Sequence, residues 1–157
     1  MTSFSRITLL AAIACLASSA VSAADHGSEA EVQEMVKKAV ALVKSVGPEK
    51  AYKAFTEHPD GAFKHKDLYV FAYDFNGECI AQGANPKMVG KNLLSIKDVD
   101  GNAFVKGMID LVKASGKGWY GPYKFNNPAT QTYELKKSYC ERGAGDTMLC
   151  VGTYFEK

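Results

Sequence analysis

The chain has 157 residues, of which 46% are hydrophobic, and a formal net charge of +2. This length suits one globular domain with its own core and leaves no room for a second. Lysine is interspersed with aspartate and glutamate, which argues against a nucleic acid or an anionic membrane surface as a partner. The three histidines are scattered and no catalytic or metal-binding motif occurs, so we expect neither an enzyme nor a metal or cofactor site.

A secretory signal is predicted at residues 1–23. A basic residue precedes a short apolar run, and Val21-Ser22-Ala23 forms a small-residue cleavage site, so cleavage is expected after Ala23. The apolar run is shorter than the ~20 residues that a membrane span needs. The prediction is therefore a periplasmic or secreted protein comprising residues 24–157. Cys15 leaves a lipid-anchored form open as an alternative.

The next element is an amphipathic helix predicted from Ser28 to Val46. Ser28 and Glu31 have the spacing of a capping box, and valine, alanine and methionine recur at three- and four-residue intervals after them. The apolar side of this helix has two interpretations, core packing against the sheet or the seam of a homodimer, and both stay open. Gly47-Pro48 ends the helix, and Pro48 can begin a second, shorter one.

A hairpin is predicted around Asn76-Gly77, the pair that best suits a type I′ turn. With two loop residues, the facing pairs would be Tyr73 with Ile80, Phe71 with Gln82, and Tyr69 with Ala84. One face of the hairpin is then aromatic and suits a pocket. The opposite face is small and aliphatic, which suits helix packing. It would carry Leu68, Val70, Ala72, Ala81 and the buried free thiol of Cys79.

After the hairpin, the run from Asp98 to Asn102 is predicted to be a turn that caps a helix from Ala103 to Ala114. Its paired aspartates and glycine suggest a calcium loop as an alternative, although their spacing does not match an EF-hand. Three strands follow, predicted at Trp119 to Phe125, Thr132 to Glu141 and Thr147 to Phe155.

Cys140 and Cys150 flank a turn-rich stretch almost symmetrically, so they should face each other across the last hairpin. A disulfide is the natural pairing in an oxidising compartment, with two free thiols as the alternative. The other facing pairs are then Lys136 with Tyr154, Ser138 with Gly152, and Tyr139 with Val151. One face of the last strands therefore carries a cation, hydroxyl groups and a glycine, which leaves space because it has no side chain.

Lys136 is the candidate anion-binding residue of this face. A lysine on the inner face of a sheet loses hydration, and a bound anion would compensate its charge. Two alternatives stay open, Lys136 as an exposed edge-strand residue and a one-residue register slip that would put Lys137 inside. Space at Gly152 and neutral donors at Gln82 and Asn85 complete a small aromatic pocket that is basic at one point.

Several stretches resemble one known family in the order in which they occur. They are L-Y-V-F-A-Y-D-F-N-G, A-Q-G-A-N-P, V-G-K-N, D-V-D-G-N-A-F-V, G-W-Y-G-P-Y, K-K-S-Y-C-E-R and V-G-T-Y. Together they resemble the single Cache domain, a PAS-like extracytoplasmic sensor module. The resemblance implies an α+β fold with a five-stranded antiparallel sheet. The long helix, about residues 28–46, would cover one face, and the PAS-like core, about 62–157, would hold a pocket covered by a helix and loops on the other.

The resemblance also implies a function. Small Cache sensors favour short carboxylates, which here would mean acetate, propionate, pyruvate or lactate. The residues at the family's motif positions are Tyr73, Trp119, Tyr123 and Lys136, and the predicted pocket also holds Tyr69, Gln82, Asn85 and Ser138. Because no output segment follows Lys157, we expect binding to be reported to a membrane receptor or kinase in chemotaxis or other signal transduction. A ligand-independent interaction or dimerisation module is the alternative.

Overall fold

The computed structural model describes residues 25–59 and 61–155, which form three α-helices and six β-strands. The helices are α1 (Glu29–Val46), α2 (Pro48–Glu57) and α3 (Phe104–Ser115). The strands are β1 (Lys64–His65), β2 (Leu68–Asp74), β3 (Cys79–Gln82), β4 (Lys117–Asn126), β5 (Tyr133–Arg142) and β6 (Thr147–Phe155). The predicted signal segment at 1–23, with Cys15 and the cleavage site, lies outside the described residues. Within the described ranges, no helix combines the length and apolar character that crossing a bilayer requires.

The strands form one antiparallel sheet with the order β1-β2-β6-β5-β4, and β3 also pairs with β2. The α+β architecture expected from the sequence is confirmed. The expected count of five strands is wrong by one, because the two-residue strand β1 pairs with the start of β2. Both residues of β1 are exposed, so its sequence has no apolar alternation that could have indicated a strand.

Helix α1 forms as the capping box predicts. The Ser28 hydroxyl accepts a hydrogen bond from the Glu31 N–H at 3.2 Å, and the Ser28 N–H donates to the Glu31 carboxylate at 2.7 Å. The apolar side of α1 packs on the aliphatic face of the sheet through Val32, Met35, Val36, Ala39, Val40 and Val43, all buried. This burial in the chain's own core is what the core-packing interpretation predicts. A homodimer through the same helix stays a prediction.

The turn between β2 and β3 is not the predicted type I′ turn. Gly77 has a positive φ of 90°, but Asn76 is not among the described residues with positive φ. The Asp74 carboxylate accepts from the N–H of Asn76 at 2.9 Å and of Glu78 at 2.8 Å, which favours a three-residue loop instead. The additional loop residue is Phe75, which the two-residue turn would have left in the first strand and which instead follows the end of β2 at Asp74.

This longer loop changes the register at the end of the hairpin. Phe71 faces Gln82 as predicted, but a bulge follows Ala72, and Tyr73 faces Cys79 instead of Ile80. The predicted pairing of Tyr69 with Ala84 is also absent, because β3 ends at Gln82. Cys79 therefore packs on the aromatic face of the sheet, not on the aliphatic face. Burial raises the pKa of its thiol to about 12, so Cys79 stays protonated and is a poor nucleophile.

The last hairpin has the predicted register. Lys136 faces Tyr154, Ser138 faces Gly152 and Tyr139 faces Val151. Cys140 and Cys150 form the predicted disulfide, with their Cα atoms 4.1 Å apart.

Replacing both Cys140 and Cys150 by alanine should lower the free energy of unfolding by about 2–3 kcal/mol, because the short closed loop no longer restricts the unfolded chain. Urea unfolding of the variant and of the oxidised protein measures the difference. Unchanged stability would contradict a stabilising role for the bond.

Helix α3 covers the aromatic face of the sheet, opposite α1. The turn at Asp98 to Asn102 is confirmed by the Asp98 N–H bond to the Asn102 carbonyl at 3.0 Å. Its predicted role as the helix cap is wrong, because the N-cap is Ala103, which makes no side-chain cap bond. The Asp98 carboxylate instead accepts from the Lys124 N–H at 2.9 Å and ties this loop to β4.

Candidate ligand-binding site

Lys136 lies in the middle of β5 with its side chain on the α3 side of the sheet. Only 1% of the residue is exposed, so the alternative of a solvent-facing edge lysine is wrong. The alternative of a register slip is also wrong, because Lys137 points to the α1 side, where its partly exposed ammonium pairs with Glu29. Strand alternation therefore separates two adjacent lysines into a buried one and a surface one.

The Lys136 ammonium is surrounded by aromatic side chains. Its Nζ donates to the hydroxyl of Tyr69 at 2.7 Å and to that of Tyr154 at 3.3 Å. It also lies 4.2 Å from the ring centroid of Tyr69 and 4.6 Å from that of Tyr154, within cation–π range. None of the ion pairs formed by the described residues involves Lys136. Burial lowers its pKa from the ordinary 10.5 to about 7, with Asp67 acting in the opposite direction.

Asp67, which the sequence analysis did not single out, is the nearby negative charge. It is 2% exposed and accepts from the N–H groups of Gly27 at 2.7 Å and Tyr154 at 3.1 Å. Its Oδ2 also lies 3.0 Å from Nδ1 of His26. The Asp67 carboxylate thus has its own partners, and none of its described hydrogen bonds or ion pairs is with Lys136. No local pattern could have found it, because these partners lie 40, 87 and 41 residues away in the sequence.

A small cavity of about 10 Å³ adjoins the Lys136 side chain. Its walls are Tyr69, Phe71, Tyr73, Gln82, Phe104, Met108, Tyr123, Phe125 and Lys136. Five of the eight residues predicted for the pocket are therefore brought together here. The predicted pocket did not include the other four wall residues, which are Phe71, Phe104, Met108 and Phe125. The cavity is about the size of one water molecule, so a short acid must displace wall side chains to enter.

Ser138 and Gly152 support Lys136 and do not line the cavity. The Ser138 hydroxyl lies 2.7 Å from the hydroxyl of Tyr123, and both residues are buried. Burial raises the pKa of Tyr123, so its phenol stays neutral. A Cβ at Gly152 would overlap Cε of Lys136 and Oγ of Ser138. The space at Gly152 is therefore occupied by the lysine stem, not left for a ligand as the sequence suggested.

Gly152→Ala should displace the Lys136 side chain and lower the free energy of unfolding by about 1–3 kcal/mol, because the added methyl group overpacks a filled interior. Thermal unfolding measures this loss. Gly61→Ala is the matched control, since a Cβ there meets no atom within 4 Å. Equal stability of the two variants would contradict the tight fit between Gly152 and Lys136.

Trp119, predicted as a pocket wall, lies on the other face of the sheet. A bulge between Tyr120 and Tyr123 puts one extra residue into β4, so side chains before and after it alternate out of phase. Tyr123 consequently reaches the cavity. Trp119 faces Tyr139 and packs beside the α1 core, with ring centroids 5.5 Å apart.

Asn85 is also separate from the cavity. Its side chain accepts from the Lys87 N–H at 3.2 Å and caps the short 3₁₀ turn Pro86–Met88. It lies on the wall of a groove of about 460 Å³ that borders the cavity and shares Tyr69, Gln82 and Phe125 with it. In the ranges that the structure covers, no three His, Cys, Asp or Glu side chains are grouped to hold a metal ion.

Comparisons with known proteins agree with this architecture. A family model described as Single Cache domain 2 matches residues 18–157. A methyl-accepting chemotaxis protein from Vibrio parahaemolyticus RIMD 2210633 has a TM-score of 0.66 and 24% identity, over 80% of this chain and 86% of that one. No curated protein matches the chain significantly.

Two further solved structures share the fold. One, described as the basis for carboxylic acid recognition by a Cache chemosensory domain, has a TM-score of 0.69 and 24% identity over 81% of this chain and 92% of that one. The other, the periplasmic sensor domain of a chemotaxis protein, has a TM-score of 0.65 and 20% identity over 82% and 95%.

Proposed function

The chain belongs to the Single Cache domain 2 family, and from that premise we propose that it binds a short carboxylate whose charged group pairs with Lys136. Acetate, propionate, pyruvate and lactate are the candidate ligands. The observation that carries the proposal is a fully buried lysine with aromatic neighbours and no ion pair among the described residues. A buried charge of this kind is costly, and a bound carboxylate would offset that cost.

The neighbouring groups suit a carboxylate in particular. The Tyr69 hydroxyl already lies within reach of the Lys136 ammonium and can donate to an acid oxygen, whereas the Tyr154 hydroxyl donates to the Asn126 carbonyl at 2.8 Å. The Gln82 amide is a further donor on the cavity wall. A carboxylate has two oxygens and accepts several hydrogen bonds, whereas a neutral ligand would leave the lysine charge unpaired.

Entry would take place from the neighbouring groove. Phe125 is only partly buried and contributes to the walls of both spaces, so rotation of its ring would join them. The site therefore suits a ligand that displaces one aromatic side chain, and part of its binding free energy offsets that displacement.

A thermal-shift panel of the four acids tests the proposal. We expect at least one acid to raise the melting temperature of the wild-type protein and of Lys137→Ala, and none to do so for Lys136→Ala. An equal shift in Lys136→Ala, or no shift with any acid, would count against the proposed function.

Affinity for the acid should be constant between about pH 6, where the ligand is already ionised, and about pH 7, and fall by up to about tenfold per pH unit above that. The reason is that the Lys136 pKa is about 7 before binding and rises when a carboxylate pairs with it. Above pH 7, binding must therefore take up a proton. Isothermal titration calorimetry at several pH values measures this slope. Constant affinity up to about pH 9 would show that Lys136 does not change its charge on binding.

The proposed role is sensing outside the cytoplasm, without enzymatic activity. What supports it is the family match together with the chemotaxis proteins that share the fold. On this proposal the protein is periplasmic or secreted, and a membrane receptor or kinase is the partner that receives the signal.

A further inference from the structure

A groove borders the cavity that Lys136 lines. It lies between the loop that follows β3 and the turn that joins β4 to β5, and its volume of about 460 Å³ is in the range of small-molecule sites. Tyr69, Gln82 and Phe125 line both groove and cavity, so the two spaces are adjacent at these side chains. A ligand held at Lys136 would therefore extend into the groove if it were longer than the cavity.

The groove is neutral and rich in carboxamides. Apart from the tyrosine hydroxyl, its described lining contains no ionisable side chain. Four carboxamide residues contribute to it, namely Gln82, Asn85, Asn126 and Gln131. Carboxamides both donate and accept, and hydroxyl or amide groups of a ligand match them better than a second charge does.

Gln82 provides independent evidence that a polar group of the ligand binds where the cavity meets the groove. The residue is 2% exposed, and its Oε1 accepts from the Ala84 N–H at 3.2 Å. Its Nε2 has only the Met88 sulfur as a partner among the described residues, at 3.8 Å. Thioether sulfur is a weak acceptor, so a buried donor is left without an oxygen partner where cavity and groove meet.

We propose that the ligand is a carboxylic acid with an uncharged, hydroxylated or amide-bearing tail. Resting on the proposed function, this inference places the carboxylate at Lys136, a polar group of the tail at Gln82, and the remainder of the tail in the groove. Short acids would occupy the inner part of the same site and bind more weakly.

Calorimetric titration with three probes tests the inference. Propionate has no tail, hexanoate has an apolar tail, and gluconate has a hydroxylated tail of the same carbon number as hexanoate. We expect gluconate to bind at least about tenfold more tightly than propionate, because its hydroxyls replace water at the carboxamides. Hexanoate should bind more weakly than gluconate, because its tail leaves those groups unpaired.

Two variants locate the tail. Asn126→Leu removes one carboxamide of the groove at similar size, leaves the entry path open, and should weaken gluconate binding by about tenfold while leaving propionate binding unchanged. Lys117→Leu, at the opposite end of β4, is the matched control and should change neither. Gln131→Leu removes one carboxamide at similar size and should weaken gluconate alone. Circular dichroism verifies that each variant is folded.

The outcomes separate this inference from the proposed function. Propionate binding without a preference for gluconate, or an equal loss of both in Asn126→Leu, would overturn the extended ligand and leave the Lys136 site intact. Failure of all three acids to bind the wild-type protein would overturn the extended ligand, and the absence of a thermal shift with any of the four short acids would overturn the proposed function as well.

Discussion

Replacing Lys136 by methionine is expected to abolish the response to acids and, at the same time, to raise the free energy of unfolding by about 2–4 kcal/mol below pH 7. Methionine keeps the length of the lysine stem but carries no charge, so the cost of burying an ammonium disappears. The hydroxyls of Tyr69 and Tyr154 lie 3.4 Å apart and can pair with each other. A residue retained for binding at the expense of stability is typical of functional sites.

The gain in the free energy of unfolding of Lys136→Met should decrease as the pH rises. The Lys136 pKa is about 7 in the folded state and 10.5 in its ordinary environment, so the unfolded chain binds more protons between these values. The stability of the wild-type protein should therefore rise with pH over this interval, and the advantage of Lys136→Met should shrink. Chemical unfolding at about pH 6 and pH 9 measures both stabilities.

Lys137→Met is the matched control for this experiment. It removes a partly exposed ion pair with Glu29, which is worth less than about 1 kcal/mol, and it should leave acid binding intact. A Lys136→Met protein that is less stable than the wild type, or that still responds to acids, would contradict the account of the buried ammonium.

Val36→Glu is expected to lower the free energy of unfolding by more than about 4 kcal/mol and to prevent a stable fold. Val36 lies in the middle of α1 and is 0% exposed, packed against the aliphatic face of the sheet. A carboxylate at this position would have neither water nor a cation beside it. Circular dichroism and light scattering of the purified variant measure its folding and its mass.

The two interpretations of α1 predict different outcomes for Val36→Glu. Core packing predicts that Val36→Glu unfolds, whereas an interface that lies only between subunits predicts a folded monomer. Lys37→Glu, at an exposed position of the same helix, is the control and should change stability by less than about 0.5 kcal/mol. A folded, cooperatively unfolding Val36→Glu monomer would contradict the core assignment.

The parts of the fold that the sequence predicts well are those with local signals. The capping box and apolar spacing of α1 are contained in one segment, and the paired cysteines determine the register of the last hairpin. This register placed Lys136 inside the sheet and Lys137 outside. The same register places Tyr154 opposite Lys136, whose ammonium donates to the Tyr154 hydroxyl.

Two of the errors share one physical cause. A bulge adds one residue to a strand and inverts the faces of all residues beyond it, and no simple pattern marks its position. One bulge moved Cys79 to the aromatic face, and another separated Trp119 from Tyr123. The role of Asp67 was missed for a different reason, because its partners come from distant parts of the chain.

The most direct test of the account is a crystal structure of the protein with bound propionate. We predict a carboxylate oxygen within about 3 Å of Lys136 Nζ and a displaced Phe125 ring. Propionate bound elsewhere, with Lys136 still bonded only to the hydroxyls of Tyr69 and Tyr154, would contradict it.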